Sequence, residues 1–170
     1  PNVVLPDVGP MPCGDVGVLL ERTIVTWDDL AWMREAWQGP LVVKGIHTAD
    51  DARRAVDAGA SAVVVSNHGG RQLDGVPGSL RALPEVVAAV GHQIEVLMDG
   101  GIRRGGDIVK ALCLGAKCVG IARLQAWAVC AGGAPAVTNV LNILEEEIRN
   151  CVGLIGATKL AELGREYLTL

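Results

Sequence analysis

Phenylalanine is absent from this 170-residue chain, and all aromatic residues together make up only 3% of it. A protein that reads single-stranded nucleic acid by stacking bases on aromatic rings would find no platform here. Charge is sparse as well: Asp, Glu, Lys and Arg sum to 20% and leave a net −4 at pH 7. That composition excludes a disordered chain and argues against polyanionic partners, so nucleic acid is set aside. The five cysteines are odd in number and contain no CxxC pair, which excludes a paired disulfide framework or a structural zinc site. Cys113 and Cys118 flank Leu114-Gly115-Ala116-Lys117 and read as small apolar filler, all five thiols as reduced core groups, and no metal is expected. No apolar run reaches the roughly 18 residues of a spanning helix and no signal-peptide series occurs, so the expected location is cytoplasmic.

What is present is apolar: 50% of the residues are hydrophobic, over a length that suits about one domain. The chain begins at Pro1 without a Met and reads as a piece of a longer protein. Four prolines and three glycines between Pro1 and Val18, with no helical period, mark residues 1–25 as a loop or linker segment. The apolar stretches within residues 1–20, Val3-Val4-Leu5 and Val16 to Leu20, suit contact with a missing part of the protein. The alternative is a peripheral contact with a membrane surface.

From residue 26 to 170 helix and strand signals alternate. Thr26 and Asp29 form a capping box before a stripe of Leu30, Met33 and Trp37, and Pro40 to Lys44 follows as a short apolar strand. Thr48 with Asp51 caps the next helix, Gly59 ends it, and Ser61 to Ser66 is a strand. Pro84 opens a third helix closed by Gly91, before the strand Ile94 to Met98. Gly106-Asp107 starts a fourth helix to Leu114, and Lys117 to Ile121 is a fourth strand. Ala136 to Ile155 reads as one long helix, with a shorter one around Lys159 to Leu163. Single helices between strands specify parallel βαβ crossovers. Four such units are half of an eight-stranded (β/α)8 barrel, whose open edges and apolar inner face require completion by another chain or segment. An open doubly wound sheet is the competing architecture.

In both architectures the carboxyl ends of the strands gather at one edge, and here each ends in something polar or glycine-rich. Ser66-Asn67-His68-Gly69-Gly70-Arg71-Gln72-Leu73-Asp74 is the most informative: His68 and Arg71 leave a buried strand through a glycine pair and can face one pocket. A bidentate guanidinium holding a substrate carboxylate would set the α-carbon of a 2-hydroxy acid beside an imidazole, the side chain suited to take a proton near neutral pH. Asp99-Gly100-Gly101-Ile102-Arg103-Arg104-Gly105-Gly106 reads as a phosphate cradle with a helix N-terminus behind it, and Arg123 on the next strand end faces the same anion. Lys44, closing an apolar strand, needs an anionic partner such as the N1/O2 region of a reduced flavin.

Lys44-Gly45-Ile46, Ser66 to Asp74, Asp99 to Arg104 and Lys110-Ala111-Leu112 together resemble the flavin mononucleotide (FMN) enzymes that oxidise L-2-hydroxy acids, a family including glycolate oxidase, lactate dehydrogenase and mandelate dehydrogenase. The resemblance runs from about Thr26 to the C-terminus and implies the second half of an FMN-containing barrel. It implies His68 as the active-site base, Arg71 as the clamp on the substrate carboxylate, and flavin contacts from Lys44 and Ser66. The phosphate end would be Asp99, Gly100, Gly101, Ile102 and Arg103 with Ala122 and Arg123. The family's first half supplies further flavin contacts, a tyrosine and the aspartate that pairs with the histidine, so this chain alone is expected to be inactive. It departs from the family at Ala122, where Gly is usual, and at Leu124, where Pro is usual; a methyl beside the phosphate would weaken FMN binding. Related subgroups oxidise carbon next to an amine in peptide-derived redox cofactors. A phosphate-binding barrel like inosine monophosphate dehydrogenase would not need His68 and Arg71, and a silent scaffold subunit, which a colourless purified complex would favour, is the non-enzymatic alternative. An oligomer is expected.

Overall fold

The structure, a computed structural model, describes residues 4–5, 9–10 and 25–169. They fall into two compact units, 1–37 and 38–170, taken here one at a time. In the first, β1 (Val4–Leu5) pairs antiparallel with β2 (Gly9–Pro10). Most of the stretch read as a linker, with its proposed membrane contact, lies outside the described residues. Helix α1 (Asp29–Ala36) follows. Half of its expected capping box forms: the Thr26 amide and hydroxyl both donate to Asp29 Oδ2, at 2.7 and 2.9 Å. These bonds, the amide's foremost, hold the Asp29 carboxyl below its ordinary range.

The second unit alternates β3 (Val42–Ile46), α2 (Ala49–Asp57), β4 (Ala62–Val65), α3 (Ser79–Val90), β5 (Glu95–Asp99), α4 (Gly105–Cys113), β6 (Cys118–Gly120) and α5 (Arg123–Leu154). All four strands are parallel and lie in the order β3-β4-β5-β6. Among the described strands the order follows the sequence without the reversal that marks a doubly wound sheet, which is the order of half of a (β/α)8 barrel. The central strands are closed: Val63 and Val65 are fully buried and Val96 and Met98 are 1% exposed, under Leu83, Val86 and Val90 of α3. Each such side chain contributes about 1.5–3 kcal/mol on burial. The outer strands are open, with Val42 at 49% exposure and Cys118 and Gly120 exposed.

Three boundaries differ from the sequence reading, each for a physical reason. Strand β3 extends past Lys44 through Gly45-Ile46 because a bulge there lets Lys44 pair with Val64 while Ile46 pairs with Val65. Helix α3 starts at Ser79, and Pro84 lies inside it. Ser79, Ala82, Leu83 and Val86 share a buried face, whose burial outweighs the amide that Pro84 cannot give to the Leu80 carbonyl. Helix α5 begins at Arg123 rather than at Ala136, with a break at Gly132 and Gly133 (φ +62) and Pro135 opening its second arm.

By length and composition α5 is apolar enough to cross a membrane. That break, and the seating of its second arm on α4 through Leu144, make it an outer helix of the barrel half. The cysteines divide. Cys113 is buried, and its thiol is pushed up by desolvation first and by Cys151 second, whereas Cys118 and Cys130 are exposed and are not core filler.

Leu83→Ala is expected to cost about 2–5 kcal/mol, through lost burial and the cavity left behind, in equilibrium denaturation. Leu73→Ala, at a side chain 65% exposed, should stay within about 0.5 kcal/mol of the parent.

Candidate active site

The carboxyl ends of the four strands border one cleft of about 320 Å³. Its wall is made by Lys44 from β3, by His68 and Arg71 after β4, by Asp99 to Arg103 after β5, and by Gly120, Ala122 and Arg123 after β6. Ser66 does not border it. That residue is 1% exposed and sits behind Lys44, accepting a hydrogen bond from Lys44 Nζ at 3.0 Å and another from the His68 amide at 3.1 Å.

The anionic partner that Lys44 requires is within the chain: Nζ lies 3.1 Å from Asp99 Oδ2. An ammonium has three donors, and Ser66 and Asp99 take two. One remains for a group in the cleft. Gly120 makes room beside this pair, since a Cβ there would stand 3.3 Å from the Asp99 Cβ.

His68 occupies an unusual backbone position. It takes φ +53, and Gly69 and Gly70 follow at +68 and +75, so the chain leaves β4 in a left-handed turn. For a side-chain-bearing residue that conformation costs roughly 1–2 kcal/mol. Hydrogen bonds on every side hold it. Asn67 accepts from the Gly69 amide at 3.0 Å and, through its carbonyl, from Gly70 at 2.9 Å. The Asn67 amide donates to Ser79 Oγ at 3.2 Å, and Arg123 donates to the Gly69 carbonyl at 3.1 Å. The imidazole in turn lies over the β3 bulge, where a Cβ on Gly45 would come within 2.9 Å of its Cε1. The bulge in one strand and the left-handed turn after the next therefore fit each other, and both need glycine.

The cradle is built as the sequence suggests, except at its helix. Gly100 and Gly101 take φ +96 and +77, and a Cβ on Gly100 would press on Ser79 Oγ and Asn67 Oδ1 at 3.0 and 3.1 Å. The N-terminus of α4, expected to lie behind an anion, is already engaged. The amides of Arg103 and Arg104 donate to Asp107 Oδ2 at 3.1 Å each, and that of Gly105 to Glu147 Oε2 at 2.6 Å. Ala122, Arg123 and Leu124 line the cleft, so the helix whose amino end borders it is α5. Ala122 takes φ −129, which any residue adopts, so its methyl brings no left-handed strain and acts only through the room it fills. Among the described residues neither Arg71 nor Arg103 has an acceptor for its guanidinium.

Asn67, Ser79 and Glu147 were missed as site residues. An Asn whose side chain bonds the amide two residues on is a recognisable turn signal. Glu147, 42 residues from its partner Gly105, leaves none.

A cleft with free guanidinium groups, glycines at close approach and a charged lysine at its inner end fits a phosphate-bearing group with an electron-rich ring. Comparison with known proteins agrees. The model of the FMN-dependent dehydrogenase family matches residues 15–170. The chain is 54% identical over 138 residues to pre-mycofactocin synthase of Mycobacterium tuberculosis, covering 81% of this chain and 35% of that protein. It is 52% identical over 146 residues to L-lactate oxidase of Nostoc sp., covering 86% and 40%. A mandelate oxidase variant solved with (S)-mandelic acid superposes with a TM-score of 0.80 at 48% identity, over 83% of this chain and 42% of that one. The chain thus spans well under half the length of these relatives.

Gly45→Ala should lower stability by about 1 kcal/mol or more, because φ is +98 there, and should displace the imidazole. The check is denaturation together with the ring resonances of His68, which should move while those of His92 stay in place.

Proposed function

The chain belongs to the FMN-dependent dehydrogenase family, and we propose that it carries the carboxyl-terminal half of a site oxidising an L-2-hydroxy acid to the 2-oxo acid. The observation that supports this reading most is that His68 and Arg71 line the same cleft as the glycine cradle. When bound, FMN would supply the two-electron acceptor for the hydride that leaves the substrate's α-carbon. Arg103 and Arg123, with Gly100 and Gly101, would hold its phosphate. Lys44 would direct its remaining donor to the ring's electron-rich edge, where a fixed positive charge favours electron transfer to the ring. Arg71 grips the substrate carboxylate with two parallel N–H groups, which fixes the α-carbon over the inner end of the cleft. His68, held by the left-handed turn, takes the proton of the α-hydroxyl as the carbonyl forms.

The remaining strands of the barrel complete the site. The open edges of β3 and β6 support this need, as does the coverage of relatives more than twice as long. Residues on that other half close the cleft and exclude water, and the chain by itself does not turn over substrate.

A second reading is favoured by the identity to pre-mycofactocin synthase: the same machinery oxidising a precursor of a peptide-derived redox cofactor. Arg71 then meets a different group, and simple 2-hydroxy acids do not react.

In the assembled barrel, His68→Ala is expected to retain FMN but to slow its reduction by substrate about 10²–10⁴-fold in single-turnover absorbance measurements. Reduction at the parent rate would remove His68 from the chemistry. Arg71→Lys should raise KM about 10- to 100-fold with a smaller change in kcat, since an ammonium cannot form the two-bonded fork.

A further inference from the structure

We propose that Glu147, on the second arm of α5, is a positioning residue for the phosphate cradle, which gives the site its preference for a phosphorylated flavin. The proposal rests on the FMN reading above. Its basis is a carboxylate that touches nothing in the cleft yet controls the far end of the loop that does.

The loop from Gly100 to Arg104 has one firm anchor at β5, through Asp99, and two left-handed glycines immediately after it. Left-handed glycines are permissive hinges, so the direction in which Arg103 leaves the loop depends on the other anchor. Asp107 holds the amides of Arg103 and Arg104 there, and Glu147 ties that end to α5 with both oxygens: Oε2 accepts from the Gly105 amide at 2.6 Å and Oε1 from Arg104 Nη2 at 2.6 Å. The carboxylate is only 22% exposed, so these charge-assisted bonds are partly shielded from water. Packing removes the remaining slack. Gly105 is buried, and a Cβ on it would stand 2.5 Å from the Glu147 Cβ, 2.6 Å from the Ile148 amide and 2.8 Å from the Leu144 carbonyl. The backbones of α4 and α5 are in contact there.

Two consequences follow for an anion. Glu147 sits at the N-terminus of α4, where a phosphate would otherwise be drawn, and so leaves Gly100, Gly101 and the amino end of α5 as the place for it. It also neutralises Arg104 on the outer side, while Arg103, whose amide is tied to Asp107 Oδ2, lines the cleft. Of two adjacent arginines, one is thereby paired on the outer side and the other presented to the cleft.

The test is carried out on this chain assembled with the rest of its barrel, by titrating the apoprotein with FMN and with riboflavin and following flavin fluorescence. Riboflavin lacks the phosphate and reports on the ring site alone. Glu147→Ala is expected to weaken FMN binding by about tenfold while riboflavin binding changes less than about twofold. Glu147→Gln, which keeps an acceptor for the Gly105 amide and loses the Arg104 pair, should recover part of the FMN affinity, and it carries the test by the same selective loss if the alanine variant does not fold. A parallel loss for both flavins, or no loss for either, would overturn the positioning role while leaving the FMN reading intact. A parent protein that binds neither flavin would overturn that reading and this inference together.

Discussion

His68 stands at φ +53, and two further left-handed residues follow it, so the turn after β4 exists only because its surroundings hold it there. The side chains of Ser66, Asn67 and Ser79 accept hydrogen bonds from its amides and Arg123 donates one to its carbonyl, from the end of β4 and the starts of α3 and α5. The turn is therefore a joint between neighbouring units of the sheet as well as a mount for an imidazole. Gly45 and Gly100 are required by the same joint, one under the ring of His68 and the other against Asn67 and Ser79. A rim assembled in this way fixes Lys44, His68, Asp99 and Arg123 relative to one another before any ligand arrives, which is the pre-organisation that a charged cleft needs.

Parallel topology is what makes such a joint possible. The four strands run in one direction, in sequence order, so every crossover helix returns the chain to the same starting level and every loop emerges at the same rim. The cost lies at the flanks. Strands β4 and β5 bury the face that α3 covers, whereas β3 and β6 keep exposed side chains and, among the described residues, an unpaired edge each. A sheet of this length with two bare edges invites pairing with further strands. The shape of the sheet and the matched fraction of its relatives point to the same completion.

Much of this was legible in the sequence. Helix and strand alternation locates the strand ends to within one or two residues, and the strand ends hold the chemistry, so Lys44, His68, Arg71, Asp99 and Arg123 are found without coordinates. What escaped depends on contacts between distant segments. Pro84 signals a helix start, and only the burial of Ser79, Ala82 and Leu83 shows that the helix begins earlier and brings Ser79 to the His68 turn. The glycine pair after Arg104 suggests a helix N-terminus open to an anion, and only the approach of α5 shows that Glu147 has taken that position. Lys44 is correctly read as needing a negative partner, but the nearest one is Asp99, which the strand pattern places on β5 without saying which way its carboxylate turns.

The most direct test of the account is the visible absorption spectrum of this chain assembled with the rest of its barrel, recorded before and after anaerobic addition of lactate, glycolate and mandelate. The account predicts a bound flavin whose absorption bleaches with at least one of these acids. A protein that holds no flavin after reconstitution, or a bound flavin that none of the three bleaches, would contradict it.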